Sequence, residues 1–415
     1  MKIQNKEREL IHDYGELMGN LSYTPVYNLS SNKFLYILFL APLFIMSFGI
    51  NGYYFYTDIL LLVMNVGIML FVSMNLILNN TKKYSGSFFY LYIITIGSLV
   101  INILITETIN NDFFYLIFAL NIYFLISNFK IDKDKLLKIT NTTYLIYLAL
   151  SFLLYFSVIT INGRSLNIFD EIIFGYSIKT FIGYYGSTAH LDSYSMFIAL
   201  LNLFFNKNRL SKLFFVVLAL IACFGTLRFT PIVSLGYGII FLLIVQILGK
   251  YTVPLINVII FMFFYLVVIF YTHSDVQYHS YFFSATSGRN VIWSLMLDVY
   301  NNIHSITQKS LGFGTTEPFT VDAFGAYETQ LTNNPHNNYL RFIFEYGVIS
   351  FIGVFIFFTK RMMEIKKKSI LLIIFFVLMA SNTNSEIFSF FHPTFLIWIL
   401  FFFKNPENTS ETQES

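Results

Sequence analysis

The chain has little of what holds a disulfide-built or water-solvated protein together. Cys223 is its only cysteine in 415 residues, so no disulfide framework exists, and no His/Cys cluster with metal-ligand spacing stands in for one. Charge is equally scarce, at 12% of residues against 56% hydrophobic. No water-soluble domain of this length tolerates that balance, and a mean hydropathy of +0.64 marks an integral membrane protein. A net charge of +3 carries no basic excess, and no nucleic-acid partner is expected. No cleavable signal is visible in the polar first 33 residues, which read as a cytoplasmic tail.

What is present is a series of apolar stretches. They approach the roughly 20 residues needed to span a bilayer about twelve times: 34–50, 59–78, 88–105, 113–127, 144–161, 194–205, 213–224, 231–248, 253–271, 338–358, 369–380 and 387–403. The expectation is an all-α polytopic membrane protein of about twelve transmembrane helices over residues 34–403. Residues 404–415 form a polar, disordered cytoplasmic tail.

Lys and Arg collect in cytoplasmic loops. With the amino terminus inside, 20 of the 26 cations fall inside and six outside, and the alternation never breaks. Both termini are therefore expected in the cytoplasm. The types differ as well: 17 of the 20 inside cations are Lys, whereas Arg164, Arg228, Arg289 and Arg341 are four of the six outside. Lys suffices for orientation; Arg adds a planar fork that grips phosphate oxygens and keeps its proton.

Two outer loops are long, 162–193 and 272–337, and loops of that length are usually functional. Within the second, "SGRNVIWSLMLDVYNNI" puts Val291, Ile292, Leu295, Leu297 and Tyr300 at helical spacing. It reads as an amphipathic helix in the outer interface with Trp293 as its anchor. "LGFGTTEPF" then supplies a turn at Gly312 and Gly314.

The chain re-enters the membrane through "NNPHNNYLRFIFEYGVISF". Asn334 reads as an N-cap and Pro335 as the first helical residue, which places His336 in the first turn. There the positive helix end favours a neutral imidazole able to accept a proton, and free backbone N–H groups attract anions. Asn337, Arg341 and Glu345 follow at four-residue steps on one face. A carboxylate inside this helix must face protein and pair, most simply with Arg341. Such a pair also has a bland reading, as a device that only fixes helix rotation.

These residues resemble the O-antigen polymerase and ligase family. "PHNNYLRFIFEYGVISF" is similar to its histidine-asparagine signature and Glu-x-Gly step, "GTLRFTPIVSL" to its arginine at an outer helix end, "SGRNVIW" to its Gly-Arg-x-x-x-Trp segment, and "LGFG" to its Gly-rich turn. The pieces keep the family's order across residues 225–353. "GYYGSTAHLDSYSMFIALL" also matches, except that Ala189 and His190 replace a family Pro-Asn, so no role is carried over to His190 or Asp192. The resemblance implies a GT-C-type glycosyltransferase in the bacterial cytoplasmic (inner) membrane, with its active site on the outer face. It acts without metal or cofactor, with inversion, on oligosaccharides carried by undecaprenyl diphosphate. It further implies diphosphate binding by Arg228 and Arg289 and action of His336 on the acceptor hydroxyl. Asn337, Tyr339 and Arg341 join the candidate substrate-binding residues, and Glu345, Gly312 and Gly314 are supporting. Expected partners besides substrate and membrane lipid are a chain-length regulator and a flippase of the same pathway.

Transfer of a sugar from a lipid diphosphate needs a base for the acceptor proton and a place for the leaving group's charge. A ligase would share this chemistry and differ in acceptor. A lipid-linked oligosaccharide flippase predicts ionisable groups near the midplane and broken helices in matching halves, yet Glu345 is almost alone in the spans. Asp132 and Asp134 form a metal-type D-x-D, but among four lysines they read as a solvated charged loop.

Overall fold

The structure is a computed structural model. It describes residues 132–155, 188–226, 228–286, 288–313, 316–322, 335–382 and 393–404, with the short stretches 170–173, 176–179 and 331–332 and five positions between 60 and 67. Apart from those five positions, the first four predicted spans lie outside the described residues, as do the amino-terminal tail, Gly314 and Asn334.

The described chain is helical. α1 (Lys133–Tyr155) is followed by a hairpin of β1 (Asp170–Ile173) and β2 (Tyr176–Lys179), paired antiparallel from Asp170↔Lys179 to Ile173↔Tyr176. Then come α2 (Thr188–Phe205), α3 (Arg209–Gly225), α4 (Thr230–Leu248), α5 (Val253–Phe261) and α6 (Phe263–His273). The long loop from residue 272 to 337 contains α7 (Val276–Thr286), α8 (Arg289–Asn302), α9 (Ile306–Leu311) and a small ribbon of β3 (Val321–Asp322) and β4 (Leu331–Thr332). α10 (Asn338–Glu364), α11 (Lys368–Ala380) and α12 (Pro393–Lys404) complete it.

By length and composition Lys133–Leu153, Thr230–Leu248 and Asn338–Glu364 are able to cross a membrane, and a fourth span arises if the bent pair α5 and α6 is counted as one. α2, α11 and α12 are apolar but shorter, so the predicted spans there are met by helices of less than bilayer length. The exposed surface suits lipid rather than water. Leu210, Leu213, Phe214, Val217 and Ile221 form an uncovered stripe on α3, and Ile240, Leu243 and Ile247 continue one on α4. α11 is the opposite case, buried from Ile370 to Ala380 except at half-buried Leu372, and so is the central post of the described helices. α4 lies against it through Gly238, where an added Cβ would touch Leu372 Cδ1 and Phe376 N at 3.4 Å.

Hydrophobicity does not discriminate one helix from another in lipid, so polar side chains set the register. Asn141 and Asn202 exchange amide bonds of 2.9 and 2.8 Å between α1 and α2, and Tyr144 donates to Ser195 Oγ at 2.8 Å. Asn257 on α5 donates to Thr359 Oγ1 on α10 at 2.9 Å, and Trp398 on α12 to Thr140 Oγ1 on α1 at 3.0 Å. The 58° bend between α5 and α6 disturbs the helical ladder, and Asn382 Nδ2 donates to Ile260 O there at 2.8 Å.

The helices run to and fro between two ends of different chemistry. At one end, Lys133 and Lys367 both lie over the Phe205 ring, Lys207 pairs with Asp134 at 3.0 Å, and Lys250 donates to Ile365 O at 2.7 Å. At the other end are the starts of α2, α4, α8 and α10. The 13 residues of α2 from Asp192 to Phe205 separate the two by about 20 Å.

Candidate functional site

The site residues come from four helix ends. α2 and α3 form an antiparallel hairpin closed by a three-residue turn, which sets the first turn of α2 beside the last turn of α3. Asp192 therefore faces the Cys223–Thr226 region, and Arg228 follows directly, its N–H on Thr226 Oγ1 at 3.4 Å. Asp192 is fully enclosed, with Oδ1 accepting from the backbone N–H and the hydroxyl of Ser193.

Arg289 is the first residue of α8. Gly288 before it adopts φ 77 and ψ −4, a left-handed conformation that glycine takes without strain, and no side chain caps the helix start. Burial of this guanidinium lowers its pKa to about 10; the charge of Arg228 adds to the lowering and Asp192 opposes it. Two arginines and one carboxylate thus share an electrostatic neighbourhood. A site of this charge suits an anion with several oxygens, for which Arg forks are built.

His336 belongs to the same end through α8. Trp293, one turn after Arg289, donates Nε1–H to Pro335 O at 2.7 Å. The indole is wholly buried, not set in the interface as an anchor, because its N–H has this internal acceptor. His336 is exposed and is the only non-glycine residue with positive φ among those described, at 49°. It is held there from both sides, by Trp293 on Pro335 and by the anchored Asn337. Unfavourable backbone that persists because its surroundings over-determine it is a recurrent mark of functional positions.

The helix start itself differs from the sequence expectation. α10 begins at Asn338 and its N-cap is Asn337, so His336 precedes the helix instead of occupying its first turn. The first turn offers no free donors to an anion. Asn337 Oδ1 accepts from Tyr339 N and Leu340 N, both at 2.9 Å, Asn338 N reaches Ser381 O at 3.0 Å, and Arg341 N reaches Asn337 O at 3.0 Å. The helix starts without a side-chain cap in this region are those of α8, at Arg289, and of α4, just after Arg228, where Pro231 removes one donor.

Two candidate substrate-binding residues are placed elsewhere. Asn337 is fully enclosed, with Nδ2 on Asn382 O at 2.8 Å, and Tyr339 is 1% exposed, with its hydroxyl on Leu378 O at 2.7 Å and its ring stacked on Phe261. Both side chains fasten α10 to its neighbours and so position His336. Arg341 does pair with Glu345, Nε to Oε1 at 2.6 Å, with side chains 29% and 3% exposed. The buried carboxylate is satisfied as expected, and the partly exposed guanidinium stays within reach of the outer surface.

Gly347 kinks α10 at φ 77 and ψ 168, leaving residues 338–346 as a separate outer segment. The kink exposes Phe344 O to Phe313 N at 2.7 Å. Gly312, at φ 90, lies so close that an added Cβ would stand 2.6 Å from Glu345 C and Tyr346 N, while a Cβ on Gly347 would strike the backbone of Ser310, Leu311 and Gly312. Phe319 stacks on Phe344 at 3.9 Å, and Tyr300 and Phe313 complete the cluster. The outer loop is thereby clamped to the segment that bears Arg341 and Glu345.

Sequence reasoning left Asp192 and Gly347 without roles. The signal for the first was a single acid in the otherwise uncharged "LDSYSMFIALL"; for the second it was the Glu-x-Gly step, whose glycine is Gly347. Asp132 and Asp134 turn out to be structural: Asp132 Oδ1 accepts from Asp134 N at 2.8 Å and caps α1, while Asp134 pairs with Lys207. No family model, curated protein or solved structure matches this chain.

Proposed function

We propose that the chain is a GT-C-type membrane glycosyltransferase of about twelve spans, which polymerises undecaprenyl-diphosphate-linked oligosaccharide repeat units at the outer face of the bacterial cytoplasmic membrane. The observation that carries the reading is the gathering of Arg228 and Arg289 at one bundle end, with Trp293 tying the helix of Arg289 to the His336 turn.

In the reaction an acceptor hydroxyl attacks the anomeric carbon. The carbon–oxygen bond to the diphosphate breaks, its electron pair leaves on the diphosphate oxygen, and configuration inverts. Arg228 and Arg289 take up the charge of the departing diphosphate, helped by the uncapped start of α8. His336 accepts the hydroxyl proton from an exposed position. Asp192 holds the two like-charged guanidiniums together before substrate arrives, and Arg341, fixed by Glu345, faces the acceptor side.

The ligase reading keeps these roles with another acceptor. Among the described residues the bent pair α5 and α6 and the kink of α10 at Gly347 are features a transporter would also show, but Asn382 occupies the first and Gly312 the second. Purified protein supplied with lipid-diphosphate repeat units and a chelator is expected to lengthen them. Strict dependence on a divalent metal, or transfer only to a foreign lipid acceptor, would overturn the polymerase mechanism.

A further inference from the structure

The lysine end of the bundle holds a second candidate site, independent of the arginine end. A cavity of about 300 Å³ opens between the first turns of α1 and the turn joining α2 to α3. That is the lower limit of small-molecule sites. Its polar lining is Lys138, Asn141, Thr142, Asn206, Lys207 and Ser211, and its apolar side is made by Leu137, Phe205 and Phe215. Asn141, Thr142 and Asn206 already donate within the bundle, while Lys138, Lys207 and the Ser211 hydroxyl face the cavity as donors.

The charge around it is one-sided. Lys138 and Lys207 line the cavity, and Phe205 carries the ammonium groups of Lys133 at 5.5 Å and Lys367 at 5.4 Å on its ring. Against these four cations stand two carboxylates, Asp134, already paired with Lys207, and Asp132, which caps α1, so the balance stays positive. Bringing Lys133 and Lys367 to one ring sets two like charges close together, which an anion between the helices would relieve. A phosphate ester fits that charge and those donors.

Two sources could supply it, a lipid headgroup or a soluble phosphate ester. The neighbouring surface decides between them. Leu210, Leu213, Phe214 and Val217 run along α3 from the rim of the cavity, 45–81% exposed, and offer an apolar track for acyl chains. Basic pockets between transmembrane helices are a known setting for anionic headgroups.

We propose that this cavity binds the phosphate headgroup of an anionic membrane lipid, with Lys138, Lys207 and the Ser211 hydroxyl on the phosphate, Asn206 holding Ser211 in place, and the α3 stripe along the chains. The lipid would join α1, α2, α3 and α11 at the end of the bundle opposite the arginines, a role separate from sugar transfer.

The full chain, purified into nanodiscs of phosphatidylcholine alone or with one third phosphatidylglycerol, tests this. Phosphatidylglycerol is expected to raise the unfolding temperature and to remain bound in native mass spectra. Lys138→Gln with Lys207→Gln should cut the retained phosphatidylglycerol about tenfold, while leaving the unfolding temperature in phosphatidylcholine as in the parent. Lys133→Gln with Lys367→Gln, acting from the Phe205 side, should do the same. Lys360→Gln with Lys366→Gln removes equal charge from exposed positions outside the lining and should change retention little. Equal loss in that control would reduce the effect to general surface attraction and overturn the site. Absence of any phosphatidylglycerol effect in the parent would do so too. Glycerol 1-phosphate stabilising the protein in phosphatidylcholine nanodiscs would overturn the lipid assignment in favour of a soluble ester.

Discussion

The two ends of this bundle carry charges of the same sign and use them differently. At one end Lys207, Lys138 and Lys360 are exposed and flexible, and the Lys207–Asp134 pair has side chains 77% and 55% exposed. At the other end Arg228 and Arg289 are partly buried, Arg289 is depressed to about 10, and Asp192 beside them is sealed from solvent. A solvated ammonium orients a helix at little energetic cost. A desolvated guanidinium next to another opposes folding, and such groups persist where function needs them. Exposure, more than count, separates orientation from chemistry.

The largest expected effect lies at His336. Its φ of 49° makes Ala a poor probe, because loss of activity would mix with backbone strain, whereas Asn tolerates left-handed backbone. His336→Asn should lower the rate of elongation about 10²- to 10⁴-fold with unchanged unfolding temperature. An active His336→Asn protein would remove the imidazole from the mechanism.

Arg289→Gln should lower elongation by about 10²- to 10³-fold, the usual effect of removing one charge-stabilising donor. It should also raise the unfolding temperature. The folded pKa near 10 lies below the ordinary 12.5, so the unfolded chain holds this proton more tightly and the charge opposes folding at neutral pH. Stability should accordingly rise as pH climbs between those values. A less stable Arg289→Gln protein would mean that the guanidinium is structural.

Parts of this arrangement were legible in the sequence and parts were not, for physical reasons. The gathering of Lys133, Lys207, Lys250 and Lys367 at one end of the described helices was legible as a run of Lys-bearing loops, because charge placement is a one-dimensional property. Gly288 was read only as part of the Gly-Arg-x-x-x-Trp segment, and its left-handed backbone ahead of α8 emerges from the structure. The start of α10 was misplaced by three residues. Asn334 and Asn337 cap equally well in isolation, and only tertiary partners, Asn382 and Ser381, select the second. Trp293 was read as an interfacial anchor because an amphipathic spacing cannot show that Pro335 waits to accept its N–H. The kink at Gly347 depends on close approach by Gly312 from 35 residues earlier, which no local pattern encodes.

That clamp gives the next prediction. Gly347→Ala combines a disfavoured φ with collision against the backbone of residues 310–312, and Gly312→Ala is its counterpart. Each should destabilise the protein by about 2 kcal/mol or more, measured by thermal unfolding in detergent, and should slow elongation by displacing Arg341 and Glu345. If neither moves stability, the clamp does not hold the outer segment. Asp192→Asn tests the arginine end more finely. It keeps the acceptor for Ser193 but removes a negative charge beside an anion site, so KM for the lipid diphosphate should fall along with kcat. A raised KM would instead show that Asp192 only supports the fold.

The smallest effect belongs at the lysine end. Asp134→Asn breaks an ion pair whose partners are both mostly in water, so screening and side-chain entropy cancel most of its attraction. The cap on α1 survives, because it is Asp132 whose carboxylate takes the Asp134 N–H. Stability should change by less than about 1 kcal/mol, and elongation should not change. If Asp134→Asn instead crippled elongation with its fold intact, exposure would no longer separate the two ends, and the acidic pair beside Lys207 would have to be drawn into the chemistry.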